Sequence, residues 1–552
     1  MARRGRTSLG LFLLLSLTLA KCEFFTALVD LEHLVSREKE LQEALKRYVE
    51  VEESRLAQIK KFLAKVDTAH ELATKYGDIG GFLGHPVNSF ALIKRFHKGW
   101  SRMEELALKD TSEVFVETLT KHKDQFPSQE DVDGAITALL RLQDTYRLTP
   151  DVISTGRLPK VRAVPMMTVS DTFDIGRSAY LSNDMFYTKA WMEVALEKIK
   201  KGEDSEDVKL FDVYDHLAFA EYQRGNFKKA LNYSEEMVKI DPTHTRATDN
   251  VAYFGSEIAK QTKKRGDTGT SRRTKSPSST FKKLKEREYF HRTKAFQNYE
   301  KLCRGEVRSL TKWEQGQMSC WQIRDDPLTV LKPGRIERVF VKPEVLIFRN
   351  FITDSEIKRI KELATPRLRR ATIQHPVTGK LEFANYRISK SGWLRDEEDE
   401  LVKRISYRVQ AYSGLNMTTS EDLQVVNYGI GGHYEPHYDF ARDGEDKFTS
   451  LGTGNRIATF LSYLSDVEAG GGTVFTRVGA TVWPQKGDAA FWYNLKRSGD
   501  GDSSTRHAAC PVLVGSKWVA NKWIHEVGQE FRKPCSVDRN ALFKATTRSL
   551  KH

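Results

Sequence analysis

The stretch Gln424-Val-Val-Asn-Tyr-Gly-Ile-Gly-Gly-His433-Tyr-Glu-Pro-His437-Tyr-Asp439-Phe440 decides the reading of this chain. It opens as an apolar strand, breaks at closely spaced glycines that suit a bulge or close backbone approach, and resumes with two His-x-acid pairs. On an extended segment, residues two apart face the same way, so a His-x-Asp pair presents two ligands to one ion. With a third histidine from another strand, this becomes the two-histidine, one-carboxylate set that holds Fe(II) on one face and leaves positions open.

Two pairs compete, His433-x-Glu435 and His437-x-Asp439, and their odd numbering puts all four side chains on one strand face. Spacing does not separate them. The distal ligand also has two candidates, His507 and His525.

Around this stretch, 552 residues predict three or four domains. The net charge of +14 is dispersed apart from one linker, and no zinc-finger or RNA-binding motif accompanies it, so no nucleic-acid partner is expected. Residues 1–22 read as a secretory signal: Met1-Ala-Arg-Arg-Gly-Arg precedes an apolar core from Leu9 to Ala20, short of the ~20 residues of a membrane span. No other run is long enough to span, which predicts a protein of the secretory lumen. Cleavage after Cys22 turns five cysteines into four, and local spacing pairs Cys303 with Cys320 and Cys510 with Cys535. Asn416-Met-Thr and Asn232-Tyr-Ser are glycosylation sequons.

Residues 23–168 predict helices. Leu31, Leu34, Leu41, Leu45, Tyr48, Ile59, Phe62 and Val66 trace an incomplete coiled-coil seam, interrupted by Glu38, Glu52 and Arg55; on pattern alone, packing within its own domain serves equally well. Residues 169–260 fit a tetratricopeptide-like pair of repeats: His216-Leu-Ala-Phe219-Ala-Glu-Tyr222-Gln-Arg-Gly225 runs to Ile240-Asp-Pro242, after a degenerate copy from Gly176 to Leu196. Aromatic residues on such a concave surface suit a polyproline II peptide. Residues 261–300 form a basic, Ser/Thr-rich linker, and 301–340 a connector closed by the Cys303–Cys320 pair. Residues 341–535 alternate apolar strands with Gly and Asp, as in a double-sheet jelly roll, and 536–552 form a tail. The fold class is therefore multidomain, with an all-α region ahead of a β jelly roll.

The central stretch resembles the iron- and 2-oxoglutarate-dependent prolyl 4-hydroxylases, whose pattern reads Asn-Tyr-x-x-Gly-x-x-Tyr-x-x-His-x-Asp. It appears here as Asn427-Tyr428, Gly431, Tyr434, His437 and Asp439. The resemblance implies iron ligands His437, Asp439 and His507, with Lys517 on the far carboxylate of 2-oxoglutarate and Tyr428 and Thr473 assisting. Retention of Asp439, where relatives with Ala or Gly take halide, implies hydroxylation. The helical–repeat–oxygenase layout is similar to the α subunits of collagen-type enzymes. That layout implies hydroxylation of peptidyl proline in procollagen-like Xaa-Pro-Gly sequences, with L-ascorbate as a supporting reductant. It also implies self-association through the N-terminal helices. The chain closes Arg548-Ser-Leu-Lys-His552 without a Lys-Asp-Glu-Leu-type retrieval signal. The implied partner is accordingly a protein disulfide isomerase β subunit, in an α₂β₂ tetramer of the endoplasmic reticulum lumen. In the repeat domain the peptide-facing candidates are Phe186, Tyr187, Phe219 and Tyr222. Family tyrosines align with Met185, Phe186, His216 and Phe219, which removes hydroxyls from the groove. Two rival readings are a related hydroxylase of a non-collagen secretory substrate and a non-catalytic chaperone for proline-rich chains.

Overall fold

The computed structural model describes residues 24–158, 166–266, 293–374, 381–445 and 447–544. The signal segment 1–22, most of the basic linker and the last eight residues lie outside them. Among the described residues, no helix is long and apolar enough to cross a membrane.

The chain divides into two units, Asp30–Ser128 and a larger one formed by Glu23–Val29 with Gln129–His552. The predicted 23–168 region is thus not one body. In the first unit, the helix Leu28–Tyr76 is followed by shorter helices from Ile79 to Lys123. Asp78 caps one of them by accepting from the amides of Gly80 and Gly81, and Pro86 opens the next at a position where no amide is needed. The predicted seam serves this unit internally: Tyr48 meets Phe115, Phe62 meets Trp100, and Arg55 pairs with Glu52 while donating to the Leu106 carbonyl. A second apolar stripe on the long helix, Val35, Val49, Leu56 and Leu63, stays 44–52% exposed, and Leu45 of the predicted seam is exposed beside it.

In the second unit, five helices from Val169 to Gly266 stack as helical hairpins. Thr168 and Asp171 close a capping box at the start, and Gly225, at φ +74°, makes the turn that the repeat pattern anticipates. Trp191, Met192, Val213, Leu217 and Ala218 fill the core, and Gly176 is needed because Met192 lies against it. The last helix runs to Gly266 and another starts at Lys294, so the linker is shorter than 261–300.

The helix Gln129–Tyr146 ties this domain to the oxygenase. Its Gln143 accepts from the Trp191 indole at 3.1 Å, Arg141 donates to the Gly431 carbonyl at 3.2 Å, and Tyr146 donates to the Pro511 carbonyl.

The oxygenase is built on two large antiparallel sheets, with two small two-stranded ribbons beside them. The larger runs, in spatial order, Cys320–Ile323, Gly334–Phe340, Val345–Arg349, Ala489–Tyr493, Arg456–Tyr463, Lys517–His525, Leu423–Tyr428, Lys390–Leu394 and Arg369–Arg370. The smaller runs Ala480–Val482, Thr473–Phe475, His507–Ala509, His433–His437 and Arg387–Ile388. Central strands are buried on both faces. Leu423, Val425, Trp518 and Ala520 join the core under the helices Asp354–Ala364 and Glu400–Ser413, while Val426, Tyr428, Lys517 and Val519 turn to the other sheet.

Two expectations fail here. The sheet begins at Cys320, inside the predicted connector, and the structure joins Cys303 to Cys510 across 207 residues, leaving Cys320 and Cys535 free and exposed. Helix Lys294–Cys303 packs beside the strand entering Cys510, whereas Cys320 opens an edge strand opposite Glu337. Nearness along the chain did not measure nearness in space. The first part of the predicted tail also returns to the domain, with Phe543 against the Tyr493 ring at 5.0 Å.

Candidate active site

Between the two sheets lies a cavity lined by Tyr428, His437, Asp439, Thr459, Thr473, His507, Lys517 and their neighbours. His437 and His507 come from adjacent antiparallel strands of the smaller sheet and face each other directly in the register. Among the described residues, His437, Asp439 and His507 are the group able to hold a metal ion, their ligand atoms all within 4.8 Å of one another. His437 Nε2 stands 3.7 Å and His507 Nε2 3.5 Å from the Asp439 carboxylate.

The backbone sets each imidazole. Nδ1 of His437 donates to the Glu435 carbonyl at 2.7 Å, and Nδ1 of His507 to the Thr505 carbonyl at 3.0 Å. With the proton on Nδ1, each Nε2 lone pair points into the cluster, the form a metal requires. Thr459 donates to Asp439 Oδ2 at 2.7 Å and itself accepts from Asn494 at 2.9 Å. Burial and the facing His507 push His437 well below the ordinary imidazole range, so it is neutral at pH 7. Burial alone would raise Asp439, but the two histidines, Arg456 and the Thr459 hydroxyl outweigh it and keep the carboxylate ionised. Two imidazoles oriented by backbone carbonyls and one ionised carboxylate fit Fe(II).

Lys517 lies deeper in the same cavity, 1% exposed. Its ammonium donates to the Gly471 carbonyl at 2.6 Å, sits 5.1 Å from the Tyr428 ring centre, and makes no ion pair among the described residues. Burial lowers it to about 7. A desolvated cation with one carbonyl partner fits the carboxylate of a keto diacid such as 2-oxoglutarate. Thr473 borders this pocket and accepts from the Tyr463 hydroxyl at 3.0 Å.

His433 does not share the cavity. The pairing register shifts between Tyr434 and His437, around Pro436, which cannot donate to a ladder. The shift ends the simple alternation: Tyr434 stacks on His437 at 3.5 Å, while His433 is buried elsewhere, near Arg141 and Arg370. Glu435 lines the outer groove. His525 is committed to structure, hydrogen-bonded to Glu421 at 3.0 Å and to the Gly454 carbonyl at 2.7 Å. Arg387, Tyr434, Tyr463, Thr459 and Trp492 also line or brace the cavity; strand alternation from Lys517 and Tyr428 points to the right faces but not to these partners.

Outside the ligand cluster the cavity opens to a groove of about 860 Å³, walled by Arg387, Glu421, Tyr438, Arg442, Arg506 and Trp523. In the repeat domain a row of rings runs from His216 through Tyr180, Phe219 and Tyr222 to Tyr253, with successive centres 4.9–6.3 Å apart. Phe186, 38% exposed, lies under the Arg224 guanidinium. Tyr187 does not face the groove: it is buried, and its hydroxyl donates to Asp144 of the helix Gln129–Tyr146. Asn232 is exposed on a helix, and Asn416 is half-buried with its side chain accepting from the Thr418 amide at 3.0 Å.

Sequence comparisons agree with these parts. Residues 27–160 match the family model of the prolyl 4-hydroxylase alpha-subunit N-terminal region, 169–260 that of the prolyl 4-hydroxylase peptide-substrate-binding domain, and 423–525 that of the 2OG-Fe(II) oxygenase superfamily. The chain is 48% identical over 534 residues to prolyl 4-hydroxylase subunit alpha-1 of Homo sapiens, covering 95% of this chain and 98% of that one. It is 41% identical over 525 residues to prolyl 4-hydroxylase subunit alpha-2 of Caenorhabditis elegans, covering 94% of each. Among solved structures, a viral collagen prolyl hydroxylase from Paramecium Bursaria Chlorella virus-1 aligns with 33% of this chain and 96% of its own, at 24% identity and a TM-score of 0.27. The chain belongs to the prolyl 4-hydroxylase alpha-subunit family and is a 2-oxoglutarate- and iron(II)-dependent dioxygenase.

Proposed function

We propose that the chain is the catalytic α subunit of a procollagen-proline 4-dioxygenase, acting at C4 of peptidyl proline in Xaa-Pro-Gly-like sequences. The observation that carries this reading is one cavity holding two oriented imidazoles and a carboxylate, with a buried ammonium behind them that makes no ion pair among the described residues. His437, Asp439 and His507 hold the iron, and Lys517 anchors the distal carboxylate of 2-oxoglutarate. Bound iron and 2-oxoglutarate supply the oxidising power, consuming O₂ and yielding succinate and CO₂. The protein's share is orientation and dryness. Thr459 fixes the carboxylate, the carbonyls of Glu435 and Thr505 fix the imidazoles, and Trp492 and Leu461 wall out water.

The outer groove admits an extended peptide to this centre, and the aromatic row of the repeat domain grips a second stretch of the same chain. Ascorbate as supporting reductant, residence in the endoplasmic reticulum and a disulfide isomerase β partner belong to the same reading. Self-association draws support from the exposed stripe Val35–Leu63, whose seven-residue spacing at Val49, Leu56 and Leu63 is that of a coiled-coil seam.

The test is turnover of a (Pro-Pro-Gly)-repeat peptide by this subunit co-expressed with a disulfide isomerase. Succinate and 4-hydroxyproline should form together, dependent on iron. Hydroxylation confined to non-collagen peptides would favour the related-hydroxylase reading, to which the hydroxyl-poor groove at His216 and Phe219 lends weight.

A further inference from the structure

The loop Gly429-Ile430-Gly431-Gly432 joins two walls of the cavity, the strand ending at Tyr428 and the strand carrying His437. It is largely buried, so its amides need acceptors. Two of those acceptors come from about 400 residues earlier. Gly429 donates to the Thr26 carbonyl at 3.0 Å and Ile430 to the Phe25 carbonyl at 3.1 Å. Val29 completes the seat by donating to Asn427 Oδ1 at 3.2 Å, and the amide nitrogen of Asn427 donates onward to the Lys517 carbonyl at 3.3 Å. Thr26, Ala27 and Asn427 are fully buried.

The fit is steric as well as polar. A Cβ on Gly429 would collide with the Phe25 carbonyl, and one on Gly134 with the Phe25 ring, so the segment is wedged between the loop and the helix Gln129–Tyr146. From its other side that helix holds Gly431, through Arg141 and the close carbonyl of Ala138.

We propose that the segment Phe24–Val29 is a positioning element of the oxygenase, clasping the glycine loop and, through Asn427, setting the Lys517 end of the cavity. None of its residues touches the reacting groups. Its effect falls on 2-oxoglutarate rather than on peptide, and this part rests on the reading of Lys517 given above.

The experiment uses the full chain co-expressed with disulfide isomerase. In the unaltered protein, the amides of Gly429 and Ile430 should exchange with deuterium as slowly as those of the neighbouring Leu423–Tyr428 strand. Deleting residues 24–27, or replacing Gly429→Ala, should speed exchange over 427–433 and raise KM for 2-oxoglutarate about tenfold, leaving KM for peptide within about twofold. A synthetic peptide of residues 23–30 should restore the deletion variant but not Gly429→Ala, an outcome a merely global loss of stability does not produce. Fast exchange at Gly429 and Ile430 in the unaltered protein overturns the proposal even if the deletion variant does not fold, and so does an unchanged KM in a folded deletion variant. If Lys517→Met leaves KM for 2-oxoglutarate unaltered while the exchange results hold, the reading of Lys517 fails and the clasp stands.

Discussion

The Thr459 hydroxyl donates to Asp439 at 2.7 Å, since the ionised carboxylate can only accept, while its oxygen accepts from Asn494 at 2.9 Å. This relay reaches the cluster from the larger sheet and orients the one member of the cluster that carries charge. Thr459→Val keeps the shape and removes the bond. Iron affinity, measured by equilibrium dialysis, should fall about 10–100-fold, as for other partners of metal ligands, with about 1–3 kcal/mol of stability lost because the buried Asn494 donor loses its acceptor.

Lys517→Met substitutes a side chain of similar reach without the charge. A carboxylate delivered to that end of the cavity would meet no cation, at a cost of about 2–5 kcal/mol. KM for 2-oxoglutarate should rise at least about thirtyfold, and KM for peptide should hold. Equal rises in both constants would show that Lys517 supports the fold rather than the co-substrate.

The same lysine predicts a pH dependence. Burial lowers it to about 7, whereas in the unfolded chain it titrates near the ordinary lysine value. Below about pH 7 the native protein carries a buried cation and its stability penalty is fully present. As pH rises from about 7 towards the unfolded value, the native state binds fewer protons than the unfolded one, and this term favours folding. Binding runs the other way. The anion needs the protonated form, so KM for 2-oxoglutarate should climb about tenfold per pH unit above about 7. Lys517→Arg, which stays protonated, should flatten the profile over pH 6–9.

Beneath the groove, Glu421 accepts from Arg456 at 2.9 Å and from His525 at 3.0 Å, with Arg456 also lying 3.8 Å from the Trp523 ring centre. Burial alone would raise Glu421, but Arg456 and His525 outweigh it and hold it at about 2. Its stabilisation is present above the unfolded carboxylate value and is lost as pH falls from there to about 2. Glu421→Gln strands a buried guanidinium and should cost about 3–5 kcal/mol, read as a lower denaturant midpoint at pH 7. The variant should also lose part of the acid sensitivity of the parent protein below pH 4.5.

How far the sequence foretold this site depends on whether local spacing or long-range pairing decides each residue. Lys517 and Tyr428 lie opposite each other on neighbouring strands, so alternation and the family pattern together locate them. The two-residue rule then misplaced His433, because the shift around Pro436 turns the strand within four residues. Tyr187 looked like groove and became an interface, since its position on the helix faces Asp144 rather than the concave side. Cys303 found Cys510 and Gly429 found Thr26 across hundreds of residues. Nothing in local periodicity encodes either meeting. The Glu421–Arg456–His525 triad escaped for the same reason, each member coming from a different segment.

In the repeat domain, Tyr180 bridges His216 and Phe219, and Phe219 meets Tyr222, so the ring row is continuous but carries fewer hydroxyls than a row of tyrosines. The His216 Nδ1 is already spent on the Asp212 carbonyl at 2.7 Å, which leaves only Nε2 to meet a peptide. Phe219, 37% exposed, offers a face and no donor at all. A polyproline II chain presents carbonyls along its flank and no amide at proline, so donors on the groove are what it lacks here. Phe219→Tyr should therefore tighten binding of a proline-rich peptide by one neutral hydrogen bond, about 0.5–1.5 kcal/mol or roughly two- to twelvefold in Kd. Calorimetry with a (Pro-Pro-Gly)-repeat peptide measures it. Tyr222→Phe should weaken binding by a similar factor, and if both substitutions leave Kd unchanged, the row is repeat core and not a peptide surface.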